Sequence, residues 1–95
     1  MIVRISGHGQ FELDDAAVHH LEQLDTTLTA ALHAGQQAEF HRLLRATIEY
    51  VEGNGSPLAH QRVVPSDIIV PPEDVSMDEA QQFFTDEGLM QPLPA

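Results

Sequence analysis

The first thirteen residues alternate between apolar and polar positions in the manner of a β-hairpin. Residues 1–5 are rich in β-branched side chains, and Phe11 and Leu13 fall two apart in the run that follows. Between these runs, residues 7–9 read Gly-His-Gly, a sequence that tolerates positive φ angles in a tight loop. The pattern predicts a hairpin over residues 1–13, with Phe11 and Leu13 facing the core.

Two long segments then show the three-and-four spacing of amphipathic helices. Asp14 and Asp15 supply an N-cap and negative charge for a first helix, predicted over residues 15–34, and Gly35 ends it. A second helix is predicted over residues 36–52. Because only the break at Gly35 separates them, the helices should form an antiparallel hairpin with facing apolar stripes. The stripes contain Val18, Leu21, Leu24, Leu28, Ala31 and Leu32 on the first helix, and Phe40, Leu43, Leu44, Ile48 and Val51 on the second.

A further β signal, Ile-Ile-Val at residues 68–70, lies between Pro65 and the pair Pro71 and Pro72. Proline cannot donate a ladder hydrogen bond and pushes the preceding residue toward extended conformations. The prolines therefore bound a short strand, predicted over residues 67–70. Its uninterrupted apolar run indicates that both faces are covered, and we expect it to pair with the N-terminal hairpin under the helices.

The segment after the prolines predicts a short third helix. Ser76 and Glu79 have the spacing of a capping box, in which the serine hydroxyl accepts from the Glu79 amide and the glutamate side chain returns to the Ser76 amide. The helix is predicted over residues 77–85, with Gly88 as its stop and a partly ordered tail over residues 89–95.

Together these elements predict a single α+β domain over residues 1–95. Its small antiparallel or mixed sheet would pack on an αα-hairpin, with a short C-terminal helix beside them.

Composition narrows the range of functions. The chain has 15 acidic residues, four arginines and no lysine, for a formal net charge of -11, which disfavours binding to nucleic acid or to anionic lipid. The absence of cysteine excludes disulfides and thiolate metal sites. The N-terminus lacks a signal-peptide core and no run approaches membrane-spanning length, so we expect a cytoplasmic protein without direct membrane insertion.

No pattern of reactive residues predicts catalysis, a cofactor or a metal. Six histidines suggest a zinc site, but His19 and His20 point about 100° apart on a helix and no H-E-x-x-H pattern occurs. The serines occupy turns or a cap, and the carboxylates are dispersed. We therefore expect a protein that is not an enzyme.

Two arginines one turn apart, Arg42 and Arg45, could anchor an acidic partner or a phosphate. Glu39 and Glu49 lie three and four positions away from them. We therefore favour ordinary ion pairs on the helix surface.

Both ends of the chain resemble a known family. The opening MIVRISGHGQFELDD and the later VVPSDIIVPPEDVSMDEAQQFFTDEGLM are similar to PspAA, the PspA-associated domain of the phage-shock-protein envelope-stress system. The most specific parts are MIVRI with the following G-x-G-Q, the PSDIIVPP stretch and the closing D-E-G-L. The resemblance implies an accessory or adaptor protein that binds PspA, a coiled-coil membrane-remodelling protein, and is recruited through it to the inner face of the membrane. It implies no catalytic residues.

The resemblance also makes the junction between the proline-bounded strand and the third helix the predicted partner-facing surface, although these residues could equally serve the fold alone. The candidate partner-binding residues are Pro65, Asp67, Pro71, Pro72, Phe83 and Phe84.

Other interpretations stay open at this point. An alternative function is a small acidic regulatory subunit that inhibits a basic DNA-binding transcription factor. A third is a pH-responsive module that uses the histidines. The edges of a small sheet also leave a homodimer open.

Overall fold

The computed structural model describes residues 1–58, 64–85 and 88–89, which form a four-stranded sheet, two long helices and a small C-terminal unit. The elements in chain order are β1 (Ile2–Ile5), β2 (Gly9–Glu12), α1 (Asp15–His33), α2 (Gln37–Asn54), β3 (Ser56–Pro57), β4 (Ile68–Val70), α3 (Met77–Ala80), β5 (Phe84–Thr85) and β6 (Gly88–Leu89). The predicted α+β class, with a small sheet, a packed helix pair and a short C-terminal helix, is confirmed.

The four-stranded sheet has the order β3-β2-β1-β4 and is mixed. β1 and β2 form an antiparallel hairpin in which Val3 lies opposite Phe11, and β3 adds antiparallel to β2. β4 pairs with β1 in parallel, with Val3 opposite Ile68. Parallel neighbours cannot be joined by a tight turn, and here the chain between them includes both long helices. The predicted pairing of the proline-bounded strand with the hairpin is therefore present.

Caps define both ends of α1. The Asp14 side chain accepts a hydrogen bond of 2.9 Å from the Ala17 amide and so begins α1 as predicted. At the other end Gly35 adopts a φ of 70°, and the Gln36 amide donates to the Ala31 carbonyl at 3.0 Å. This pattern closes a Schellman turn, which reverses the chain and brings α2 back along α1.

The core lies between the inner face of the sheet and the facing helix stripes. Val3, Ile5 and Phe11 alternate inward along the hairpin, as the period of two requires. Of the predicted stripe residues, only Val18, Leu24 and Leu43 are half-buried, and the others are buried: Leu21, Leu28, Ala31, Leu32, Phe40, Leu44, Ile48 and Val51.

On β4 the burial differs between the two faces. Ile68 and Val70 are buried, whereas Ile69 is only half-buried, so the expectation that both faces of this strand are covered holds only in part.

The predicted third helix is correct in its start but wrong in its length. α3 ends at Ala80, and turns over residues 81–83 lead into β5, which pairs antiparallel with β6. Aromatic and β-branched residues at 83–85 favour extended over helical backbone, and the pairing with β6 satisfies that preference. Gly88 therefore lies in a strand and does not stop a helix. Of the predicted tail, residues 90–95 lie outside the described residues.

The N-terminus of α3 carries a variant of the expected capping box. The Ser76 hydroxyl accepts from the Glu79 amide at 3.1 Å, as predicted. The Glu79 carboxylate, however, accepts from that same hydroxyl at 3.0 Å and does not return to the Ser76 amide. The Ser76 hydroxyl is thus hydrogen-bonded to both the backbone amide and the side-chain carboxylate of Glu79.

The close approach at Gly55 gives a first testable prediction. A Cβ atom at this position would lie 2.7 Å from the Val51 carbonyl oxygen and 2.9 Å from the Phe11 Cβ. Gly55→Ala should therefore shift the backbone and lower the free energy of unfolding by roughly 1–3 kcal/mol in a urea titration. Gly53, inside α2, has open space around it, so Gly53→Ala should be neutral or stabilising by up to about 1 kcal/mol. Equal stability of the two variants would contradict this packing.

Candidate partner-binding surface

Asp67 fastens the start of β4 to the start of β1. Its Oδ2 accepts from the Ile2 amide at 2.8 Å, while its own amide donates to the Ile2 carbonyl at 2.7 Å. The side chain thus extends the parallel ladder by one residue and stays exposed to solvent. This candidate residue has a structural task that its exposure alone would not reveal.

Gln10 holds the segment that precedes Asp67 against the sheet. It lies on β2 with 9% of its surface exposed, and its Nε2 donates to the Val64 carbonyl at 2.9 Å and to the Ser66 hydroxyl at 2.7 Å. Because Gln10 alternates with the inward-facing Phe11, its side chain belongs to the outer face of the sheet. Residues 64–66 are therefore fixed on that face. This role was not predicted from the sequence, although Gln10 is the final residue of the G-x-G-Q motif.

The three candidate prolines occupy different environments. Pro65 is exposed, Pro71 is fully buried and Pro72 is half-buried. They bound β4 at its two ends, as the missing N–H of proline favours. In this conformation only Pro65 and Pro72 can be touched by another molecule.

Residues 71–84, which we term the junction segment, dock along α2. The ring of Phe84, 7% exposed, meets that of Phe40 edge to face, with centroids 5.9 Å apart. The Nε2 of His41 lies 2.7 Å from the Val75 carbonyl oxygen. One aromatic contact and one polar contact thus join the segment to the same helix.

The two arginines of α2 both make ion pairs. Arg42 pairs with Glu39 as predicted, and the hydrogen bond from Arg42 lowers the pKa of the Glu39 carboxyl. Arg45 instead reaches Glu73 of the junction segment at 3.9 Å, and not Glu49 on its own helix. Both arginines are well exposed, so these pairs orient side chains more than they stabilise the fold.

The accessible side chains of the junction segment are of two kinds. Pro72, Met77 and Phe83 are half-buried apolar groups that still face solvent, and Met77 and Phe83 also pack on the core. Four exposed carboxylates accompany them, on Glu73, Asp74, Asp78 and Glu79. Phe83 and Phe84 therefore differ in environment: Phe84 is buried, and Phe83 is the one of the two that a partner can contact.

The histidines among the described residues are dispersed over the fold. His20 stacks on Tyr50 with centroids 4.4 Å apart, and the Nδ1 of His8 lies 3.4 Å from a Glu52 carboxylate oxygen. Within residues 1–58, 64–85 and 88–89, no three histidine or acidic side chains are placed to hold a metal ion.

Taken together, the structure defines a small α+β domain with an acidic surface, in which a proline-bounded strand presents the junction segment. Across the ranges that the structure describes, no helix is long and apolar enough to cross a membrane.

The family model described as PspA-Associated protein, PspAA, matches residues 1–92, and the chain belongs to this family. Neither a curated protein nor a solved structure matches the chain.

The hydrogen bond from Ile2 to Asp67 gives a second prediction. Asp67→Ala should lower the free energy of unfolding by about 1 kcal/mol, because the Ile2 amide loses its acceptor. Asp67→Asn keeps an acceptor oxygen and should retain most of the stability. Asp74→Ala, at an exposed turn position, is the control and should change stability by less than about 0.5 kcal/mol in the same denaturation experiment. If Asp67→Ala unfolds like Asp74→Ala, the side chain does not hold β4.

Proposed function

We propose that this protein is a non-enzymatic adaptor that binds a PspA-type coiled-coil protein in the envelope-stress response. The observation that carries the proposal is the match of residues 1–92 to the family of PspA-associated proteins. Through this partner the protein would be recruited from the cytoplasm to the inner face of the membrane. Its own net charge of -11 opposes direct contact with anionic lipid.

The proposed contact region is the junction segment together with the exposed Pro65 and Asp67 at the other end of β4. Pro72, Met77 and Phe83 are half-buried and offer apolar area to a partner, and Met77 and Phe83 already pack on the core, so covering them does not require the domain to unfold. An apolar stripe on a partner helix is the matching surface. Pro71 and Phe84 are buried beneath this region, so we assign them a role in positioning it and not in contacting the partner.

The charge of the junction segment indicates which charge the partner surface should carry. The junction segment carries four exposed carboxylates, one of which, on Glu73, lies 3.9 Å from Arg45. A helix with basic residues beside its apolar stripe complements this arrangement, and the charges would steer association more than they add affinity. The fit is to a basic, amphipathic helical surface on the PspA-type protein.

The strong acidity also supports a second candidate, an acidic subunit that masks the basic face of a DNA-binding factor. The two functions differ in their dependence on salt. A charge mimic should lose affinity steeply with added salt, whereas an apolar helix contact should not.

A calorimetric titration with the PspA-type protein of the same organism, in roughly 0.05 M and roughly 0.3 M salt, separates the two functions. Saturable binding that persists in both buffers is the expected result. Absence of binding in both buffers would contradict the adaptor function and would favour the second candidate.

A pair of aromatic variants tests the contact region in the same titration. Phe83→Ala should weaken binding about tenfold or more, because it removes a half-buried ring from the centre of the proposed contact. Tyr50→Ala is the matched control, since Tyr50 is also a half-buried aromatic but stacks on α1. Equal affinities for the two variants, each confirmed as folded by circular dichroism, would place the interface elsewhere on the domain.

A further inference from the structure

His41 has both ring nitrogens directed at backbone carbonyl oxygens. Nδ1 lies 2.9 Å from the Gln37 oxygen one turn earlier on α2, and Nε2 lies 2.7 Å from the Val75 oxygen of the junction segment. A carbonyl oxygen can only accept hydrogen bonds. A neutral imidazole has one N–H and one lone pair, so it can satisfy only one of these two oxygens, while a protonated ring donates to both.

We infer that His41 is a proton-dependent latch that fastens the junction segment to α2. In either neutral tautomer, one contact sets a nitrogen lone pair against an oxygen at 2.7 or 2.9 Å, and the ring must shift to relieve the repulsion. In the charged ring both contacts are charge-assisted hydrogen bonds, roughly twice as strong as neutral ones. Proton binding and latch closure therefore favour each other.

Charged side chains of both signs lie on the two elements that the latch joins. On α2, Glu39 is paired with Arg42, and Arg45, one turn beyond His41, is paired with Glu73. The junction segment, which packs against this face, brings only acidic groups: Glu73, Asp74, Asp78 and Glu79. Acidic residues thus outnumber the arginines on α2 and the junction segment together.

The anchor point of the latch is part of the core. Val75 is buried, and its amide closes a turn by donating to the Pro72 carbonyl at 3.1 Å. Loss of the His41 contact would loosen this turn and, with it, the position of the following α3. The latch needs no partner protein, so its test is independent of the proposed function.

The sign of the pH effect follows from the geometry. Stability from the latch is present when the ring carries its second proton and is lost as the pH rises through the range, roughly pH 5–8, in which imidazoles titrate. Lower pH should therefore strengthen the attachment of the junction segment. Carboxylates that are protonated at still lower pH oppose this trend, so the comparison belongs above about pH 5.

The test compares the equilibrium constant for unfolding at pH 7.5 and pH 5.5 in three forms of the full chain. The wild type and His19→Gln, which changes an exposed histidine of α1, should show the same change with pH. His41→Gln cannot titrate, so its change should be smaller by about three- to tenfold. An identical pH dependence of His41→Gln and His19→Gln would overturn the latch.

If His41→Gln does not fold, a measurement on the wild type tests whether the proton on His41 controls its two carbonyl contacts. Carbon-13 chemical shifts of the Val75 and Gln37 carbonyl groups should move together with the ring resonances of His41 during a pH titration. Carbonyl shifts that stay constant while the ring titrates would show that its proton does not control these contacts.

Discussion

The parallel pairing of β4 with β1 is the contact on which the rest of the arrangement depends. It joins Ile2 to Asp67 across 65 positions of the chain and places Val70 beside Ile5 at its other end. Because the junction segment follows β4 directly, this register decides where residues 71–84 meet α2. The Asp67 carboxylate, the Gln10 amide and the three flanking prolines all serve this placement.

Much of this fold could be predicted from the sequence, since its main signals are local. The three-and-four spacing in α1 and α2, the break at Gly35 and the prolines around β4 each act through nearby backbone. The end of α3 at Ala80 was not predicted, because the competing pairing of β5 with β6 is a tertiary contact. The partner of Arg45 was missed for the same kind of reason, as Glu73 is 28 positions away and reaches the arginine only through packing.

The candidate site was predictable only as a region. The six predicted partner-binding residues come from one stretch of the sequence, and the structure gives them different roles. Pro71 and Phe84 are core residues and Asp67 completes a strand ladder, which leaves Pro65, Pro72 and Phe83 with accessible apolar surface. A sequence motif shows that certain residue types occur together. It does not distinguish the buried residues that support a surface from the accessible residues that a partner can contact.

The central claim is that the junction segment is the surface that meets the PspA-type protein. Hydrogen exchange of the full chain, with and without that protein at saturating concentration, tests it most directly, because the method reports protection along the backbone. The account predicts slowed exchange in peptides from residues 64–85, with little change in α1. Protection confined to α1, or no change in residues 64–85 when the complex is formed, would contradict it.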